Sequence, residues 1–214
     1  MAPYQRKKGV KRRGANTANR DLGNLRLLYR SYFAHVGEEE RPNPFRNLSF
    51  KEQTSAKVLP FETKFVRERI LAPGTFDRIN MEARLIIYAL IETGCRPSEI
   101  ANLLPGHIHL DAPVPYISIQ PTSEREIKTT SSIREIPLVG ISLEAMKRAP
   151  NGFPKYRDRP DALSAFLMST FRTRDLLPTD QHRIYSFRHS FEKRMQEAGI
   201  DYGLRCILMG HATS

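Results

Sequence analysis

Five charged side chains fall in four short motifs: Arg96 and Glu99 in TGCRPSEI, Lys128 in EIKTTSSIREIPL, Arg188 in IYSFRHSF and His211 in LMGHATS. An arginine cannot shed its charge inside a protein, so Arg96, which lies between two apolar segments, needs a partner. Glu99, three residues on, lies on the same helical face and can supply one. That pair by itself reads as readily as a structural ion pair as it does as part of a site. Lys128 stands in a polar connection, where a lysine is ordinarily a solvated surface charge. Cys95 and Cys206 match no metal-ligand spacing and are too few for a disulfide framework. No metal site and no cofactor are expected, and the thiols read as those of a reduced, intracellular protein. The formal net charge of +11 over 214 residues favours a polyanionic partner, nucleic acid first and an anionic membrane surface second.

The elements that must position these residues centre on residues 85–104, LIIYALIETGCRPSEIANLL. Ala83, Ile86, Ile87, Leu90 and Ile91 recur at helical spacing and predict the buried stripe of an amphipathic helix. Gly94 suits the left-handed end of that helix, and Pro97 suits the first turn of the next. Ile100, Leu103 and Leu104 give the second helix its apolar face, so Arg96 is held at a helix–helix corner. Before this pair, Leu25, Leu28, Tyr32 and Phe33 predict one helix over residues 21–36, and residues 45–59 read as a polar linker ending at Pro60. Thr63 or Glu62 can cap a helix carrying Phe65, Val66 and Ile70 that stops at Pro73-Gly74. After Pro105-Gly106, residues 115–120 (PYISIQ) and 133–138 (IREIPL) alternate like strands, joined by the polar connection that carries Lys128. Residues 143–148 predict a short helix. Asp161 and Ser186 can cap two more, the first with Leu163, Phe166, Leu167 and Phe171 inward, the second with Phe187, Phe191, Met195 and Ala198 inward. Asp201 opens a last one through Leu204, Ile207 and Leu208, which Gly210 ends just before His211. The fold class is mainly α with a small antiparallel β-hairpin or sheet. No apolar run exceeds seven residues, too short to span a bilayer, and the basic start lacks the apolar centre of a signal peptide.

Taken in order, Arg96, Lys128, Arg188 with His189, and His211 resemble the tyrosine recombinases, the phage-integrase family of DNA breaking-and-joining enzymes. The resemblance covers residues 59–214, and more faintly Leu25 to Phe50, where Asn43-Pro44-Phe45 is similar to the turn that follows the family's core-binding domain. It implies that Arg96 and Arg188 neutralise the charge that builds on the non-bridging phosphate oxygens, a task suited to bidentate guanidiniums. It implies further that Lys128 protonates the departing 5′ oxygen, that His211 hydrogen-bonds the phosphate, that Glu99 orients the arginines and that His189 packs. The family nucleophile is a tyrosine that stores the bond energy as a 3′-phosphotyrosyl link, so no metal or nucleotide is required.

The sequence departs from the family twice. Tyr185 stands where the family usually has a histidine three residues before the second arginine; it can donate a hydrogen bond but is a poor base near neutral pH. The nucleophilic tyrosine is expected beyond His211, and no tyrosine follows Tyr202, so the chain reads as truncated at both ends and inactive in cleavage. The domain reading is a basic mobile arm over 1–20, with Arg6, Lys7, Lys8, Lys11, Arg12, Arg13 and Arg20 tracking phosphates. A core-binding remnant follows over 21–58, and a catalytic domain lacking its nucleophile helix over 59–214. The expected function is a site-specific recombinase or integrase of a mobile element, in a bacterial cytoplasm or nucleoid. Its partner is double-stranded DNA, with a family tetramer as the homo-oligomer and no membrane. The alternative is a non-catalytic DNA-binding remnant of such an enzyme.

Overall fold

The computed structural model describes residues 14–51, 57–121 and 132–211, and the chain divides into two units, Met1–Ala56 and Lys57–Ser214. In the first unit, helix α1 spans Ala15–His35. It begins earlier than the apolar stripe alone predicts, so Arg20, expected in a mobile arm, lies on a helix. Arg6, Lys7, Lys8, Lys11, Arg12 and Arg13 lie outside the described residues. The stripe residues Leu25, Leu28 and Tyr32 are exposed. The Asn43 side chain accepts from the Phe45 amide at 2.9 Å and donates to the Arg26 carbonyl at 3.1 Å, which ties the Asn43-Pro44-Phe45 turn to α1.

The second unit opens with a single turn, α2 (Thr63–Phe65), that widens into a π-helical turn over Val66–Ile70. Neither Thr63 nor Glu62 makes a side-chain cap there. Helix α3 (Met81–Thr93) follows, capped by Asn80, whose side chain accepts from the Ala83 amide. All five residues of the predicted stripe are buried. The predicted left-handed end is also found: Gly94 has φ 62°, and Pro97 begins the short helix α4 (Pro97–Ala101). At Gly94 a Cβ would run into the Phe191 ring and meet the Met209 sulfur at 3.1 Å, so the position combines a backbone and a packing requirement.

Strands β1 (Ile108–His109), β2 (Tyr116–Ile119) and β3 (Arg134–Pro137) form an antiparallel sheet in that order. Ile117 faces Ile136 and Ile119 faces Arg134. The two longer strands match the alternating stretches; β1, two residues long, is too short for periodicity to reveal. Helices α5 (Gly140–Arg148), α6 (Pro160–Thr173), α7 (Ser186–Glu197) and α8 (Tyr202–Met209) complete the unit. Helix α3 packs on α5 and α7, and α8 packs on α7 and β3.

Several local expectations change. Asp161 lies in the first turn of α6 rather than capping it, because Pro160, which has no N–H to satisfy, takes the first helical position. Ser186 is likewise inside α7, where its hydroxyl accepts from the Arg183 amide while Tyr185 holds the cap position. Ala198, expected inward, is exposed at the C-cap of α7. On α8 the buried residues are Cys206 and Met209, whereas Leu204 and Ile207 are exposed. Asp201 caps α8 as expected, accepting from the Leu204 amide. Gly210 closes it with φ 63°, and the His211 amide donates back to the Cys206 carbonyl at 2.9 Å. No helix among the described residues is long and apolar enough to cross a membrane.

Candidate active site

The corner between α3 and α4 gathers charge from four elements. Arg96, at the cap position of α4, donates from Nη1 to Glu99 Oε1 at 2.6 Å, and its backbone amide donates to Glu99 Oε2 at 2.8 Å. Glu99 thus caps its own helix and clamps the Arg96 side chain with one carboxylate. The Arg96 side chain is 31% exposed and the Glu99 side chain 7%, so the pair is anchored below and open above.

Arg188 reaches the same corner from the first turn of α7. Its Nη1 donates to the Gly94 carbonyl at 2.7 Å, and its Nη2 donates to the Met209 carbonyl and meets His211 Nε2 at 3.1 Å. A guanidinium only donates, so that contact requires the imidazole tautomer with Nε2 unprotonated and the hydrogen on Nδ1. The accepting carbonyls belong to the last turns of α3 and α8, whose ends carry unpaired C=O groups and partial negative charge. Arg188 neutralises both ends at once. It is also only 2% exposed, so His211 and the two carbonyls cover it. Burial, followed by the nearby Arg96 charge, pushes its pKa down, against a favourable contribution from Tyr185.

A third guanidinium completes the cluster, and sequence reasoning missed it. Arg134 of β3 has a side chain only 1% exposed and donates to Glu99 Oε2 at 2.8 Å. It also donates to the Ser132 carbonyl at 2.9 Å and to the Leu208 carbonyl of α8 at 2.9 Å. The signal was strand parity: Arg134 shares its face with the buried Ile136 and Leu138, while Ile133 faces out. Glu99 bonds two of these guanidiniums, Arg96 and Arg134, and acts on the third, Arg188, through its charge alone. Three positive charges against one negative leave a surplus of two.

Electrostatics set the protonation states. Burial works against the Glu99 carboxylate, but the Arg134 and Arg96 hydrogen bonds outweigh it and hold its pKa below the usual value. Burial and then the Arg188 charge lower the pKa of His211, with Arg96 and Arg134 adding to the effect and Glu192 opposing it. Burial pushes the Cys95 thiol up to about 12, so it is no nucleophile near neutral pH. No cluster of His, Cys, Asp or Glu among the described residues could hold a metal ion.

The structure therefore brings together Arg96, Glu99, Arg188 and His211. Tyr185, 38% exposed at the start of α7, stands beside His189 with the rings 5.4 Å apart and edge-on. Lys128 lies outside the described residues. Such an arrangement can hold an oxyanion between fixed cations, with Arg96 open to it and Arg188 reached only when His211 gives way.

Neither a protein-family model nor a curated protein sequence matches the chain. Solved structures do. The Tn1549 transposon integrase in complex with circular intermediate DNA superposes with a TM-score of 0.63 at 18% identity, over 94% of this chain and 73% of that one. The integrase from mycobacterium phage Brujita gives 0.57 at 19% identity, over 94% of this chain and 65% of that one. XerA recombinase gives 0.55 at 12% identity, over 94% and 74%. The chain has the fold of the tyrosine recombinase catalytic domain: mainly helical, with a small three-stranded antiparallel sheet.

Proposed function

We propose that the chain is the catalytic part of a site-specific DNA recombinase or integrase of a mobile element, which cuts and rejoins duplex DNA through a 3′-phosphotyrosyl intermediate. The observation that carries this reading is the meeting of Arg96, Arg188 and His211 around Glu99 at one positively charged corner. The fold supports it, since one solved example is an integrase in complex with DNA.

In this reading the scissile phosphate first meets the exposed edge of Arg96. It then takes the place of His211 on Arg188 Nη2, and the released imidazole donates its N–H to the same phosphate. Both guanidiniums then face the charge that grows on the non-bridging oxygens as the attacking phenol adds, and they need no reorganisation at that moment. The phenol's proton passes to water as its oxygen bonds to phosphorus, the P–O bond to the 5′ oxygen breaks, and Lys128 supplies that oxygen with its proton. Tyr185 acts as a hydrogen-bond donor near Arg188. In this reading the attack is not assigned to Tyr202, the last tyrosine of the sequence, which opens α8.

The test is a nicked duplex that traps covalent intermediates. The 214-residue chain is expected to bind it without forming an adduct, and Arg96→Ala to bind it more weakly. An adduct that disappears in Tyr185→Phe would make Tyr185 the nucleophile. Equal duplex affinity for the parent and Arg96→Ala would remove this corner from the DNA interface.

A further inference from the structure

Arg134 is buried, its side chain 1% exposed, and its donors are turned to the protein itself. Its bonds run to three separate parts of the chain. One goes to Glu99, which holds Arg96. A second goes to the Ser132 carbonyl, two residues before β3 begins. A third goes to the Leu208 carbonyl in the last turn of α8, three residues before His211. The fit is close: a Cβ on Gly210 would meet Arg134 Nη1 at 2.9 Å, so the turn that carries His211 is pressed against this guanidinium. The neighbouring carbonyl, Met209, is held by Arg188. Two buried guanidiniums thus grip consecutive carbonyls at the end of α8.

We propose that Arg134 is a positioning residue of the site: by bridging Glu99, Ser132 and Leu208 it makes α4, β3 and the end of α8 one rigid body, and so sets where Arg96 and His211 stand. A planar fork with five N–H donors can serve three acceptors in different directions, which a lysine ammonium on a flexible stem does not reproduce. The buried charge is costly unless every bond is made, so the arrangement has little freedom to slide. This inference rests on the DNA-binding reading only for its functional consequence; the positioning itself can be read without DNA.

The experiment compares the parent chain, Arg134→Lys, Arg96→Ala and the double variant Arg96→Ala/Arg134→Lys. Each is followed by NMR titration of His211 and by duplex DNA binding at fixed salt. Lysine keeps the charge, so a charge-only role predicts no change. The positioning role predicts a shifted His211 titration midpoint and about a tenfold loss of duplex affinity in the Arg96 background. In the Arg96→Ala background the same change should cost less than about twofold, because contacts acting through one residue are not additive. Folded Arg134→Lys with parental His211 titration and parental affinity would overturn the proposal. So would an equal loss in both backgrounds.

If Arg134→Lys does not fold, Arg134→Gln takes its place, since it removes the buried charge while leaving Glu99 on Arg96. A loss of affinity as large as that of Arg96→Ala supports the proposal, and parental affinity overturns it. Should the parent and Arg96→Ala bind duplex equally well, the DNA reading falls. The His211 titration in Arg134→Lys, or in Arg134→Gln, then still decides the positioning.

Discussion

Glu99→Gln perturbs the centre of the cluster with almost no change in shape. Each carboxylate oxygen is engaged: Oε1 accepts from Arg96 Nη1 at 2.6 Å, and Oε2 accepts from the Arg96 amide at 2.8 Å and Arg134 Nη2 at 2.8 Å. A glutamine has one acceptor oxygen, so its NH2 must face at least one of these donors. The Arg134 charge is then left buried without a counter-charge. Breaking a buried pair from one side costs about 3–5 kcal/mol, which for a domain of this size is a drop in Tm of about 6–20 °C. The pH dependence carries a second signature. The folded pKa of Glu99 lies below the usual value, while the unfolded chain has the ordinary one. Stability from this group is therefore fully present above the ordinary carboxylate pKa and is lost as pH falls through the folded pKa. Denaturant unfolding between neutral and acid pH should show that loss in the parent and a flatter acid limb in Glu99→Gln. A cost below about 1 kcal/mol, or an unchanged acid limb, would mean that the cluster is loosely solvated and that this account of its rigidity is wrong.

Three further outcomes are expected. His211, whose pKa burial and the Arg188 charge lower, should titrate below an ordinary histidine. Its contribution to stability is present above the unfolded pKa and lost as pH falls toward the folded one; duplex DNA should move the midpoint upward in NMR titrations. Gly94→Ala combines a left-handed φ of 62° with a Cβ against Phe191 and Met209; it should cost about 2–5 kcal/mol in thermal unfolding, from strain of about 1–2 plus overpacking of about 1–3, and a cost near zero would mean that the α7–α8 packing is soft. Deleting residues 1–13 removes Arg6, Lys7, Lys8, Lys11, Arg12 and Arg13 while leaving α1 intact. Duplex affinity should fall on all sequences alike and the salt slope should flatten, whereas an unchanged slope would reduce the segment to a solubilising tail.

What the sequence made legible was local. Arg96, Glu99, Gly94 and Pro97 lie within six residues, and their spacing on adjoining helix ends dictates the corner they form. Arg188 and His211 were found through the resemblance, because nothing near either of them names the carbonyls of Gly94 and Met209 as partners. Arg134 escaped because a charge on the inward face of a strand contradicts alternation unless its partner is known, and that partner is 35 residues away. The exposure of Leu204 and Ile207 was equally out of reach, since an apolar residue at helical spacing is buried only where another element covers it. The π-helical turn at Val66–Ile70 has no periodic signature of its own.

The central claim is that this corner takes a phosphate of duplex DNA, and a structure of the chain bound to a duplex tests it most directly. The account predicts one phosphate with its non-bridging oxygens about 3 Å from the guanidiniums of both Arg96 and Arg188, and His211 displaced from Arg188 Nη2 to donate to that phosphate. A complex in which the backbone passes over another face, or in which His211 stays on Arg188 while the phosphates lie elsewhere, would contradict it.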